Sequence, residues 1–249
     1  VAIGKQAGSI TQGIAGVAIG DLAGTTRQGN QGVSIGFACG NVDQGLGGIG
    51  IGVAAGQTDQ GNYAIAIGNL SGQSNQVANA IAIGRQAGNI SQAEYSIAIG
   101  NNAGYDTQAI NSIAIGQQAG QETQAAEAIS IGYQAGEISQ SVHGLAIGKQ
   151  AGQINQGIRA VAIGMLAGQT NQGEKGLIIS SRATTLNDTT AGHIHITSNL
   201  ASLDFTSAAG VWTQTIGATT ETIFTKEALK TVVAASSDFA DFKTRVAAL

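Results

Sequence analysis

The sequence predicts an all-β chain whose main body is a parallel β-roll, a solenoid of short stacked coils. Three observations predict it. Residues 1–176 are eleven copies of one 16-residue unit, without insertion or deletion. The unit carries invariant columns, with Ile at position 3, Gly at positions 4 and 8 and Gln at position 12. The composition is that of a repeat and not of an ordinary globule: 38 glycines, no proline, 4% aromatic and 10% charged residues. A short period that never slips lets each copy stack on the last as one coil. Eleven coils at the spacing of neighbouring strands make a rod of about 50 Å.

Within the unit, position 1 is Val, Ile or Leu, position 2 is Ala, Ser or Gly, and position 3 is Ile throughout (Ile3 to Ile163). Branched residues flanking a small one read as a short strand with one buried face. On that reading positions 1 and 3 point into the coil. Position 2 (Ala2, Ala18, Ser34, Gly50, Ala66 and onward) then forms a smooth outer stripe on which another sheet can pack, and this predicts homo-oligomerisation along the rod. The glycines at positions 4 and 8 predict backbone bends with positive φ or tight clearance. Position 7 is small and is expected to face inward. The repeated Gln12 to Gln172 suits an amide ladder, each side chain bonding its neighbours above and below. Cys39 occupies position 7, where other copies carry Ala or Ser, and reads as a small buried apolar side chain.

Composition excludes several functions. Net charge is −4 with scattered basic residues, which points to no nucleic acid or anionic membrane partner. No apolar run approaches the length of a membrane-spanning helix. A lone cysteine allows no disulfide within the chain. The acids Asp21, Asp43, Asp59, Glu94, Asp106, Glu122 and Glu137 are spread over variable positions and read as solvated turns, so the expectation is that the chain is not an enzyme. Position 10 mixes side-chain types, so there is no flat Thr ladder of the ice-binding kind. Phe37, Tyr63, Tyr95, Tyr105 and Tyr133 form no evident row.

The string V/I-A-I-G-x-x-A-G, in register over residues 1–176, resembles the YadA-like head repeats of trimeric autotransporter adhesins. It resembles more closely the AIGxxAG repeats of fibre and structural proteins of bacteriophages, cyanophages and large algal viruses. The 16-residue period and the fixed Gln favour the viral group, because adhesin heads usually have a slightly shorter repeat. The resemblance implies a left-handed roll assembled as a parallel homotrimer. It implies a virion fibre or spike segment that attaches to a host-cell receptor or spaces a receptor-binding tip, alongside other virion proteins. The alternative it leaves is the head of a bacterial surface adhesin, whose β-stranded membrane anchor is not expected after Val246.

The repeat breaks at Leu177. Residues 177–224 alternate Thr, Ser and apolar residues and read as a β-rich neck or cap, with Trp212 as an apolar plug or, on the other reading, a sugar-stacking surface. Residues 225–249 fit a heptad, with Val232, Phe239 and Val246 at a and Ala228, Ala235, Phe242 and Leu249 at d. Thr225 suits its N-cap. A short trimeric coiled coil is therefore expected, unless Ser236 and Ser237 divide the helix.

The sharpest chemistry lies in Gly192-His193-Ile194-His195-Ile196. Histidines two apart in a strand share a face. In a threefold assembly His193 and His195 of three chains would place six imidazoles on the axis, an octahedral set for one iron or other first-row metal ion per trimer. The H-x-H of some phage long tail fibres resembles this. The other reading turns Ile194 and Ile196 inward and both histidines to solvent. His143 lies at a variable position and carries little.

Overall fold

A computed structural model describes residues 1–181, 184–197, 201–206, 211–216 and 219–225, and from residue 201 onward it describes the backbone alone. The described residues form an all-β solenoid with no helix. In a typical coil positions 1–3 make one strand and positions 10–12 a second, as in Ile81–Ile83 and Ile90–Gln92. Each strand pairs in parallel with its equivalent 16 residues on: Ile81 with Ile97, Ala82 with Ala98, Ile83 with Ile99. The first strands build most of a 16-stranded sheet and the second a separate 8-stranded sheet.

A coil with only two three-residue strands must bend sharply between them. Left-handed residues do the bending. Gly84, at position 4, has φ +130, and Gly88, at position 8, has φ +50. Positions 6, 11 and 15 also take positive φ with ordinary side chains, as at Gln86, Ser91 and Tyr95 (55°, 55° and 59°). The position-4 column also needs clearance. A Cβ on Gly84 would lie 2.5 Å from the carbonyl oxygen of Gly100 in the next coil.

The strand faces are the reverse of the sequence expectation. Position 2 is the buried one: Ala66, Ala82, Ala98 and Ala114 are fully enclosed, whereas the Val and Ile at positions 1 and 3 point outward and are half-buried. The predicted smooth outer stripe is therefore interior, and the branched columns form the outer face. The reason is volume. The coil is narrow, and its interior is already filled by the methyl groups of positions 2 and 7, the position-12 amide and the small residue at position 16. A Cβ on Gly104 would meet Gln108 Oε1 at 2.7 Å and Ala98 Cβ at 3.3 Å, so no branched side chain fits inside. Position 7 faces inward as expected, with Ala87, Ala103 and Ala119 completing the core.

The amide ladder is present. Nε2 of Gln44, Gln60, Gln76, Gln92, Gln108, Gln124, Gln140 and Gln156 donates to Oε1 of the Gln one coil on, at 3.0 to 3.2 Å. Each also donates to the position-1 carbonyl of its own coil, as Gln108 does to Ile97 at 2.8 Å. Between Gln28 and Gln44 the link runs through a hydroxyl. Gln28 Nε2 donates to Ser34 Oγ, which donates to Gln44 Oε1. Cys39 is buried, and its Sγ lies 3.2 Å from the Ala55 carbonyl oxygen. A Cβ on Gly50 would lie 2.7 Å from that sulfur, so the larger atom at Cys39 occupies the space that Gly50 leaves open. Glu137 departs from the solvated-acid expectation. It is buried and accepts from Gln134 at 2.9 Å and Gln153 at 2.6 Å.

The twelfth coil is irregular. Its strand Leu177–Ser180 puts Ile178 at position 2, the first large apolar residue inside the stack, with Leu186 packed against that cluster. Ile194–Thr197 then pairs in parallel with it, and the strands 201–206, 211–216 and 219–225 continue the same sheet antiparallel. The side chain of Trp212 and the expected helix over 226–249 lie outside the described residues.

Candidate functional site at the closing coil

Register places three polar residues at inward-facing positions of the last coil. The Gly173 N–H donates to the Asp188 carbonyl at 2.7 Å, as Gly157 N–H does to Gln172, so Asp188 stands where every earlier coil has its ladder Gln. The Leu177 N–H donates to the His193 carbonyl at 2.8 Å, as Val161 N–H does to Gly176, so His193 takes the small position 16. His195 pairs with Ile178 and takes position 2. The column of amide, small residue and methyl thus ends in a carboxylate and two imidazoles. The closing coil is one residue longer than the others, from Leu177 to its partner Ile194, and also holds Ile178 and Leu186.

The three converge. One carboxylate oxygen, Asp188 Oδ2, contacts both His193 Nδ1 and His195 Nε2, the latter at 2.9 Å. The imidazole rings meet edge to face with centroids 4.4 Å apart. Side-chain exposure is only 11% for Asp188, 14% for His193 and 17% for His195. The closeness does not amount to hydrogen bonding throughout, because Asp188 Oδ2 and both ring nitrogens of His193 are buried with no partner of sound geometry. Asp188 Oδ1 accepts from the Thr190 N–H at 2.9 Å. Burial pushes the Asp188 pKa up, but the hydrogen bonds from Thr190 and the charges of His193 and His195 outweigh it, holding the carboxyl below its ordinary value. The group is an anion at neutral pH.

The two histidines expected to act together are therefore adjacent, but they face the interior of their own coil, while Ile194 and Ile196 continue the outward branched columns. The solvent-facing reading therefore does not describe them. The sequence reading missed Asp188. The period itself holds the signal, since sixteen residues past Gln172 is Asp188. His143 lies far along the chain, with its Nε2 3.0 Å from exposed Glu127. Tyr63 and Tyr95 share repeat position 15 two coils apart, and both are exposed.

The outward branched columns are the second notable surface. They run the length of the stack, and Ile51, Ile131, Ile179 and Ile196 are each more than a third exposed, Ile131 at 37%. No helix among the described residues is long and apolar enough to cross a membrane. No family model matches the chain, and neither a curated protein nor a solved structure does so significantly.

Proposed function

We propose that this chain is a structural segment of a virion fibre or spike, a homotrimeric rod for host attachment or for spacing a receptor-binding tip. The observation that carries the reading is the outward Val/Ile face. The branched residues at positions 1 and 3 of the eleven repeats lie outside the coil in in-register columns. A long apolar face needs a cover, and copies of the same chain offer a face of the same repeat. Covering about 40 Å² more of each side chain gains about 1 kcal/mol, so a column of this length exceeds the roughly 4 to 15 kcal/mol cost of association. Closed symmetry keeps such a rod finite, and the number three comes from the resemblance to viral and adhesin repeats. The interior supports a scaffold role. Coil after coil it repeats one ladder amide among small residues.

The test is solution mass by light scattering. Wild-type protein should have three times the 24.8 kDa chain mass. Replacing the outward Ile99 and Ile115 with Glu should weaken or abolish association while the circular dichroism of the β-roll persists. A wild-type monomer at micromolar concentration would overturn the reading.

A further inference from the structure

We propose that Asp188, His193 and His195 form a binding site for one divalent first-row transition-metal ion inside each chain, which clamps the closing coil to the strand that follows it. The site is independent of the trimer, because one chain supplies all three ligands.

The argument begins with what the stack does elsewhere. In every coil from Gln44 to Gln156 the ladder amide spends its N–H groups on backbone and on the next amide. At the twelfth step the amide is replaced by a carboxylate, which has no N–H to donate, and two small residues are replaced by imidazoles. For a cap that only had to end the stack, apolar residues would suffice, as Ile178 and Leu186 of the same closing coil show. Instead the interior acquires two nitrogen ligands and one oxygen ligand, whose ligating atoms all lie within 4.8 Å of one another. Ligands bound to one ion at about 2.0 to 2.2 Å must stand closer than twice that distance, so small side-chain rotations complete the set.

The partnering points the same way. Asp188 Oδ2 and His193 Nδ1 face each other, yet neither has a hydrogen bond of sound direction. Buried polar atoms left unsatisfied are costly, and a cation bound by both, once the side chains part to ligand spacing, satisfies both together. Two imidazoles and one carboxylate suit Zn(II), Co(II), Ni(II) or Fe(II) more than Ca(II) or Mg(II), which prefer oxygen ligands. Thr190 supplies the outer support, holding Asp188 Oδ1 so that Oδ2 turns to the histidines. Bound metal would join the chain at residue 188 to the strand Ile194–Thr197, where the sheet passes from parallel to antiparallel.

The test uses the untagged 249-residue chain, stripped with chelator and titrated with Co(II), followed by visible absorption, then displaced with Zn(II). Expected is saturation at one metal per chain, with d–d bands that report nitrogen and oxygen ligation. Asp188→Asn should weaken binding by at least about tenfold, the lower end of what loss of even an outer-shell partner does. His143→Ala should leave binding unchanged. Stoichiometry on the wild-type protein does not depend on how any variant folds. Absence of saturable binding overturns the proposal. So does one metal per three chains with Asp188→Asn binding normally, which would return the histidines to a shared axis. Trimer mass is measured on the same sample, so failure of the rod reading and failure of the metal site are separately visible.

Discussion

Replacing Gln108 with Met tests what holds the coils together. Gln108 is fully buried in the seventh coil. Its Nε2 donates to Ile97 O at 2.8 Å and to Gln124 Oε1 at 3.2 Å, and its Oε1 accepts from Gln92 Nε2 at 3.2 Å. Met is unbranched and close to Gln in length and shape, so little cavity or clash forms and the polar loss is isolated. Gln92 keeps its bond to Ile81 O at 2.8 Å. Gln124 Oε1 loses the donor from the coil before it and stays buried, and orphaning a buried acceptor costs about 1 to 3 kcal/mol. Adding about 1 kcal/mol for the bond to Ile97 gives a total of about 2 to 4 kcal/mol. A solenoid transmits such a defect mainly to neighbouring coils. Hydrogen exchange with mass spectrometry should therefore show opening at least about 30-fold faster in residues 81–128, since 1.4 kcal/mol is tenfold. Residues 17–48 should be little changed. Exchange within threefold of wild type across residues 81–128 would refute the claim that the ladder stabilises the stack, and uniform acceleration along the whole rod would refute its locality.

Three further outcomes follow from the packing. Gly84→Ala puts a Cβ 2.5 Å from the Gly100 carbonyl at φ +130, and should cost at least about 2 kcal/mol, read as a lower denaturation midpoint. Gly50→Ala should destabilise the chain because its Cβ would meet Cys39 Sγ at 2.7 Å, and Cys39→Ala should rescue it in a double-mutant cycle; additive effects would break the proposed pairing. Burial pushes the Cys39 thiol up to about 11 from its ordinary 9.0, against weaker opposing hydrogen bonds from Ile35, Gly52 and Ala55. The thiol should therefore resist alkylation at pH 8 until the chain unfolds. Because the folded pKa is the raised one, the native state holds its proton longer. The associated stability is full below pH 9 and falls between pH 9 and about 11, an effect that Cys39→Ala should remove.

Periodicity alone determined the coil, its length, its glycine corners, the inward position 7 and the Gln ladder. Each follows from one residue type recurring every 16 positions, and a recurring polar residue such as Gln108 must find its partners in the coils above and below it. Three things could be decided only by the tertiary structure. The first is which strand face is interior. The alternation Ile81-Ala82-Ile83 is symmetric in sequence and shows two faces without saying which of them is enclosed. The cross-section decided that, because a coil bent at Gly84, Gln86 and Gly88 encloses room for methyl groups and an amide but not for a branched side chain.

The Cys39–Gly50 exchange of volume lay hidden for the same reason, since the two residues are eleven apart in sequence and touch only across stacked coils. The closing cluster divides between the two sources. His193 and His195 were visible as a pair, and the period marks Asp188 as the heir of Gln172. Their convergence was not visible, because the twelfth coil departs from the 16-residue spacing, and an extra residue between Asp188 and His193 shifts the histidines by one. A sequence period specifies what stacks on what. Which side of each strand is inside depends on the volume the closed coil leaves, and that is a property of the folded chain.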